Sequence, residues 1–147
     1  MCPFCHPDIY RHCFLESPLF LAIYNLSPIF PGHCLIIPRR HLASLTDLST
    51  LEQEALIPFT NQVIKRLSIH FPSDGFNLSL QDGVSGGQTI PHLHLHLLPR
   101  LTGDLPEPGD WYPLIQQHGQ QLLDSRQRQP LQEEEILAIV KRLRLSN

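Results

Sequence analysis

Residues Gln88 to Arg100 read QTIPHLHLHLLPR, with His92, His94 and His96 at every second position and Leu93, Leu95 and Leu97 between them. Side chains alternate between faces along a β-strand, so this spacing puts three imidazoles on one side and three leucines on the other. The leucines require a hydrophobic core. The imidazoles require polar surroundings, because burying them without partners is costly. Pro99 is expected to end the strand, having no N–H to give to a sheet ladder. Just upstream, Gln81 to Gln88 (QDGVSGGQ) is a turn-rich run with glycines at 83, 86 and 87, closed by a polar amide. A short strand displaying imidazoles over a glycine-rich loop predicts a phosphate-handling site.

Before that loop, Phe76 to Gln81 (FNLSLQ) alternates and predicts a strand, with Phe76, Leu78 and Leu80 inward and Asn77, Ser79 and Gln81 on the other face. With turn chemistry between them, it and the histidine strand should run antiparallel. Asp47 to about Phe71 carries a helical pattern in which Leu56, Phe59, Val63 and Leu67 make the buried stripe. Thr50 with Gln53 resembles a capping box there, and Glu52 and Glu54 suit the positive end of the dipole. Pro58 is expected to kink or divide this helix, and Pro72 and Gly75 to end it. His70 reads as a partly exposed helix residue. Farther upstream, Leu19 to Tyr24 (LFLAIY) and His33 to Pro38 (HCLIIP) predict two strands of a hairpin, joined by the turn-rich NLSPIFPG. Arg39 and Arg40 read as a solvated strand end.

Cys2 and Cys5 frame Cys-Pro-Phe-Cys, which admits three readings: half of a metal site, a redox pair, or two unrelated thiols. A redox pair normally follows a strand, and none is predicted before it. His6 and His12 read as surface residues and Cys13 as a small apolar one. Beyond Arg100, LTGDLPEPGDWYP is a proline-rich loop in which Trp111 and Tyr112 are expected to pack. Gln116 to Gln132 is rich in glutamine and predicts a mobile stretch. Glu133 to Leu145 predicts an amphipathic helix, acidic first and basic last.

At 147 residues the chain suits one domain, residues 1–147, with a core over about 14–104 and a tail over 105–147. A net charge of −3 offers no broad basic surface for nucleic acid, so a polyanionic substrate would bind through local donors. No run approaches the roughly 18 apolar residues of a membrane span, and MCPFCHPDIYRHC has no apolar signal region. A cytoplasmic location follows as the expectation, with the four cysteines as thiols or metal ligands.

His92 to Leu98 (HLHLHLL) has the pattern that names the histidine triad family, and Pro31-Gly32-His33 followed by CLIIP resembles that family's other recurrent block. The runs Gln81-Asp82-Gly83, Gly87-Gln88-Thr89, Leu98-Pro99-Arg100 and Thr102-Gly103-Asp104 resemble its fragile histidine triad branch. The resemblance implies an α+β fold: an antiparallel sheet of about five strands, one long helix and a C-terminal helix. It also implies a homodimer whose sheets join, and hydrolysis of dinucleoside polyphosphates such as diadenosine triphosphate and tetraphosphate.

On that resemblance His94 is the nucleophile, attacking an α-phosphorus to give a nucleotidyl-histidine that water hydrolyses. His94 should hold its other nitrogen against a fixed acceptor such as a backbone carbonyl. His96 and His33 flank the phosphate, and His96 can protonate the leaving group. Gln88 and Gln81 are implied phosphate contacts and Asn25 a ribose contact, with no catalytic cofactor required. Some family members carry a structural zinc, and Cys2, Cys5, His41 and His92 fit that ligand pattern as a closed tetrahedral set. The rival readings are a nucleoside phosphoramidase of the purine nucleotide-binding branch, a nucleotide-binding signalling protein with little turnover, and a metal-dependent enzyme built on the three histidines.

Overall fold

Residues 1–107, 109 and 128–145 are described in the computed structural model. Trp111, Tyr112 and residues 116–127 of the glutamine-rich run lie outside the described residues. Five strands form one antiparallel sheet: β1 (Cys13–Glu16), β2 (Phe20–Tyr24), β3 (Cys34–Pro38), β4 (Gly75–Leu80) and β5 (Leu95–Arg100), in the order β1-β2-β3-β5-β4. Two helices accompany them, α1 (Thr50–His70) and α2 (Glu133–Arg144). The predicted α+β architecture and the hairpin of β2 with β3 are present. The strand missed in the sequence is β1, whose four residues are too few to display a period.

The two faces of the sheet bury different things. On one, Phe20, Ala22, Ile36, Leu95 and Leu97 pack with Leu56, Phe59, Val63 and Leu67 of α1 and with Ile136, Val140 and Leu143 of α2. Each large apolar side chain fully buried there stabilises the fold by about 1.5–3 kcal/mol. On the other face, Leu21, Ile23, Leu35 and Ile37 gather around Phe4. His96 stands directly opposite Leu35 in the β3–β5 ladder and so belongs to this second face.

Local details depart from the sequence reading. The N-cap of α1 is Ser49, in a reciprocal capping box with Glu52, rather than Thr50 with Gln53. Glu52 is buried because Arg40 reaches it with Nε at 3.0 Å and Nη2 at 2.9 Å. Pro58 lies inside one continuous helix of 21 residues; it is exposed, so the carbonyl it leaves unbonded faces water. Phe76 and Leu78 are not inward: β4 is an edge strand, and they are 51% and 41% exposed. Pro99 does not end β5 but pairs with Phe76, at a point where β3 no longer flanks the strand and no N–H is needed on that side. Arg128 to Leu131 are held to the loop after β2, with Arg128 Nε donating to Ser27 O at 2.7 Å and Leu131 N to Leu26 O at 2.9 Å. The expected mobility therefore does not extend to that end of the glutamine-rich run.

Candidate active site

The histidine row keeps its facing without being all strand. Only His96 lies in the β5 ladder; Pro91 supplies no donor, and Leu93 N bonds instead to Leu42 O at 2.7 Å. Leu93, Leu95 and Leu97 still enter the helix-side core, and His92, His94 and His96 still turn to the other face, all at 1% exposure or less. His94 Nδ1 lies 2.7 Å from the carbonyl of His92. That acceptor places the ring proton on Nδ1 and the lone pair on Nε2. The His94 and His96 rings stand 5.3 Å apart.

His33, at the entry to β3, is fully buried. Its Nδ1 accepts from Ile29 N–H at 3.1 Å, so its proton sits on Nε2, which faces His96 Nδ1 at 2.9 Å. His96 in turn carries its proton on Nε2. Asn25 Nδ2 lies 3.3 Å from the same His33 nitrogen, a contact between two donors rather than a hydrogen bond, and Asn25 Oδ1 accepts from Ser27 N at 2.8 Å. A cavity of about 440 Å³ opens here, lined by His96, Asn25 and Thr89 among its polar residues and by Phe4, Ile23 and Leu35 among its apolar ones. It has the volume of a small-molecule site. His12 is not simply a surface residue: it is half-buried, lines this cavity and faces Glu133 of α2 at 3.3 Å.

The two glutamines are placed differently. Gln88 uses both ends of its carboxamide inside the loop, Oε1 accepting from Gly83 N at 2.8 Å and Nε2 donating to Ala43 O at 3.0 Å. Gln81 is buried on the site face; its Nε2 donates to Ser79 Oγ at 2.9 Å, and its Oε1 has no hydrogen bond among the described residues. Asp82 fixes the start of the loop by accepting from Leu45 N at 2.8 Å and Ser44 Oγ at 3.0 Å.

Cys2, Cys5, His41 and His92 converge as expected, with their ligand atoms all within 4.8 Å of one another. Cys2 Sγ and Cys5 Sγ lie 3.4 and 3.5 Å from His92 Nδ1, and Cys5 Sγ lies 3.3 Å from His41 Nδ1. Zinc at about 2.3 Å from sulfur and about 2.0–2.1 Å from nitrogen in a tetrahedron sets S···N near 3.6 Å, so the donor set fits that ion. His92 Nε2 lies 2.8 Å from Pro38 O, which orients the ring and presents Nδ1 to the thiols. Burial lowers the His92 pKa, favouring the neutral form that ligation needs. Phe4, between the two cysteines, sets its ring edge against His94 at 5.2 Å and His92 at 5.7 Å. The sequence reading passed over Phe4, although its place inside the ligand turn was a usable signal. It also passed over Ile29, which acts through its backbone and left no signal.

Residues 6–103 match the HIT domain family. The bifunctional bis(5'-adenosyl)-triphosphatase/adenylylsulfatase FHIT of Arabidopsis thaliana is 35% identical over 112 residues, 76% of this chain and 62% of that protein. The asymmetrical bis(5'-nucleosyl)-tetraphosphatase of Schizosaccharomyces pombe is 39% identical over 94 residues, 64% of this chain and 52% of that protein. The chain thus spans less than two thirds of the length of either relative. Among solved structures, a zinc-bound histidine triad family protein from Mycobacterium smegmatis superposes with a TM-score of 0.66 at 27% identity, covering 97% of this chain and 92% of that one. A hypothetical histidine triad nucleotide-binding protein from Sulfolobus tokodaii gives a TM-score of 0.72 at 27% identity, covering 97% of this chain and 89% of that one. Sheet, imidazole row and sequence agree: the chain belongs to the histidine triad (HIT) domain family.

Proposed function

We propose that this chain is a hydrolase of dinucleoside polyphosphates that works through a nucleotidyl-histidine. The observation that carries this reading is His94, held at Nδ1 by the His92 carbonyl, its ring 5.3 Å from that of His96, which lines a nucleoside-sized cavity. His94 Nε2 attacks the α-phosphorus; the N–P bond forms as the P–O bond to the departing nucleotide breaks. His96 donates a hydrogen bond from Nε2 to the departing oxygen, which leaves as the nucleotide's phosphate anion, and His33 keeps His96 in that donor tautomer. Water then cleaves the N–P bond, releasing a nucleoside monophosphate and restoring the imidazole. Asn25 contacts the ribose and Gln81 the phosphate chain. The bonds of Gln88 support a different role from phosphate contact: it closes the glycine loop onto residue 43.

The Arabidopsis and Schizosaccharomyces relatives, named for triphosphatase and tetraphosphatase activities, support this substrate class. The zinc-bound Mycobacterium structure and the converging donors support a structural zinc on Cys2, Cys5, His41 and His92. A homodimer is supported by the edge of β4, which no strand among the described residues pairs, and by the exposed Phe76 and Leu78 on that strand. No helix among the described residues is long and apolar enough to cross a membrane, and the four cysteines are free thiols, which fits a cytoplasmic enzyme whose partners are nucleotides rather than nucleic acid.

The test is product analysis. Purified protein and His94→Ala are each given diadenosine triphosphate, diadenosine tetraphosphate and adenosine phosphoramidate without added divalent metal. AMP from the dinucleotides with the parent and none with the variant is the expected result. Turnover of the phosphoramidate alone moves the chain to the phosphoramidase branch, and tight binding without turnover makes it a nucleotide sensor.

A further inference from the structure

Residues 2–5 serve two sites at once. Cys5 N bonds to Cys2 O at 3.1 Å, closing a tight turn. The thiols leave that turn toward His41 and His92, while Cys2, Pro3 and Phe4 line the cavity below His96. Phe4 is 9% exposed, packs with Ile23 and Leu35, and sets its edge against the His94 ring. Among the described residues, the only hydrogen-bonding contacts that residues 2–5 make outside their own turn run from the two thiols to His41 and His92. The wall of the nucleoside cavity is therefore tied to the sheet through the ligand atoms and through the packing of Phe4 itself. A second path leads the same way: His92 offers Nδ1 to the thiols while its own carbonyl holds His94 Nδ1.

We infer that metal binding at Cys2, Cys5, His41 and His92 and nucleotide binding in the cavity are reciprocally coupled through Phe4, so that metal occupancy sets the enzyme's affinity for nucleotide. The inference rests on the proposed nucleotide and zinc sites and adds a regulatory link between them. With the ion in place the turn is pinned, and Phe4 presents a preformed apolar wall to the nucleoside. Without it, ordering residues 2–5 falls to the nucleotide, which weakens binding. Linkage requires the converse with the same factor: nucleotide in the cavity tightens the grip on the metal. Couplings of this kind usually amount to roughly 5–150-fold.

The experiment uses the full chain and AMP, a product that does not turn over. Zinc content is first fixed by metal analysis. AMP affinity is then measured by calorimetry on zinc-loaded and chelator-treated protein. Zinc affinity is measured by chelator competition with and without saturating AMP. The expected result is about tenfold weaker AMP binding after zinc removal and an equal gain in zinc affinity with AMP. Phe4→Ala, with its fold checked by circular dichroism, should still bind zinc but lose the dependence of zinc affinity on AMP. That arm separates coupling from general loosening of the chelated protein, since the variant is compared in its zinc-binding state. Zinc and AMP that both bind but ignore each other overturn the inference and leave the hydrolase reading intact. Loaded protein that binds no AMP overturns the nucleotide site and the inference with it. Protein that takes up no zinc overturns the metal site and the coupling, while the hydrolase reading survives. A Phe4→Ala chain that keeps the full coupling removes Phe4 from the path and overturns the inference as stated.

Discussion

His33 donates from Nε2 to His96 Nδ1 across 2.9 Å, and what decides the direction of that bond is the Ile29 N–H, 3.1 Å from the other His33 nitrogen. One backbone amide thus fixes the proton on two rings.

The tautomers follow as a prediction. Long-range proton–nitrogen spectra of the imidazoles should show His33 and His96 protonated at Nε2 and His94 at Nδ1. His33→Ala should lower kcat by about 10–100-fold with KM little changed, since it frees His96 to adopt the wrong tautomer rather than removing a substrate contact. An unchanged kcat would leave His33 a packing residue.

The two glutamines should separate in kinetics. Gln81→Ala, which removes a buried carboxamide on the site face, should reduce kcat/KM by about 10-fold or more. Gln88→Ala should act on the loop instead, with a stability loss of about 1 kcal/mol and faster proteolysis near Val84, which is 91% exposed. Equal kinetic losses in both variants would restore Gln88 to the phosphate.

Arg40 and Glu52 set an acid limit. The Arg40 guanidinium bonded to it holds the Glu52 pKa down to about 2, helped by the Ser49 N–H. A depressed carboxylate contributes stability that is complete above its unfolded value of about 4.3 and is lost as pH falls through the folded value. Arg40→Ala should therefore move the midpoint of acid unfolding to higher pH and lower Tm by a few degrees at neutral pH. Superimposable acid titrations of parent and variant would remove the pair from the stability of the α1 entry.

Gly32 is required by shape as well as by conformation. Its φ is 91°, and a Cβ there would stand 2.8 Å from Pro99 Cγ and 3.1 Å from the Phe71 ring. Gly32→Ala should cost about 3 kcal/mol in urea unfolding, from overpacking and left-handed strain combined. Because His33 follows directly, activity should fall further than the stability loss accounts for.

What could be read in the sequence was whatever lies in short local patterns. The imidazole and leucine alternation showed which side of the row faces the core, while the donor set needed the resemblance to the histidine triad family, which added His41 and His92 to Cys-x-x-Cys. The β4 face was misread because alternation says which side chains share a face but not whether anything covers it; at the edge of the sheet Phe76 and Leu78 stay 51% and 41% exposed. The cap of α1 was misread by one residue because Ser49 and Thr50 both precede a plausible acceptor, and only the Arg40 contact singles out Glu52. Phe4 was marked only by its place between the two cysteines, and Ile29 acts through its backbone, where no residue type marks the role.

The bond from Leu93 N to Leu42 O joins the residues that directly follow His92 and His41. Two of the four donors are therefore paired as soon as β3 and β5 are aligned, with no ion needed to gather them. The other two sit in a four-residue turn that closes by itself, yet Cys5 lies 87 residues before His92 in the chain. During synthesis the cysteine turn emerges first and must wait for its histidines, its thiols exposed to oxidation and to competing soft metals throughout that interval. For the proposed zinc site, the order of the ligands along the chain makes metallation a closing act of maturation, and it makes the first pair of ligands to be synthesised the last to find their place.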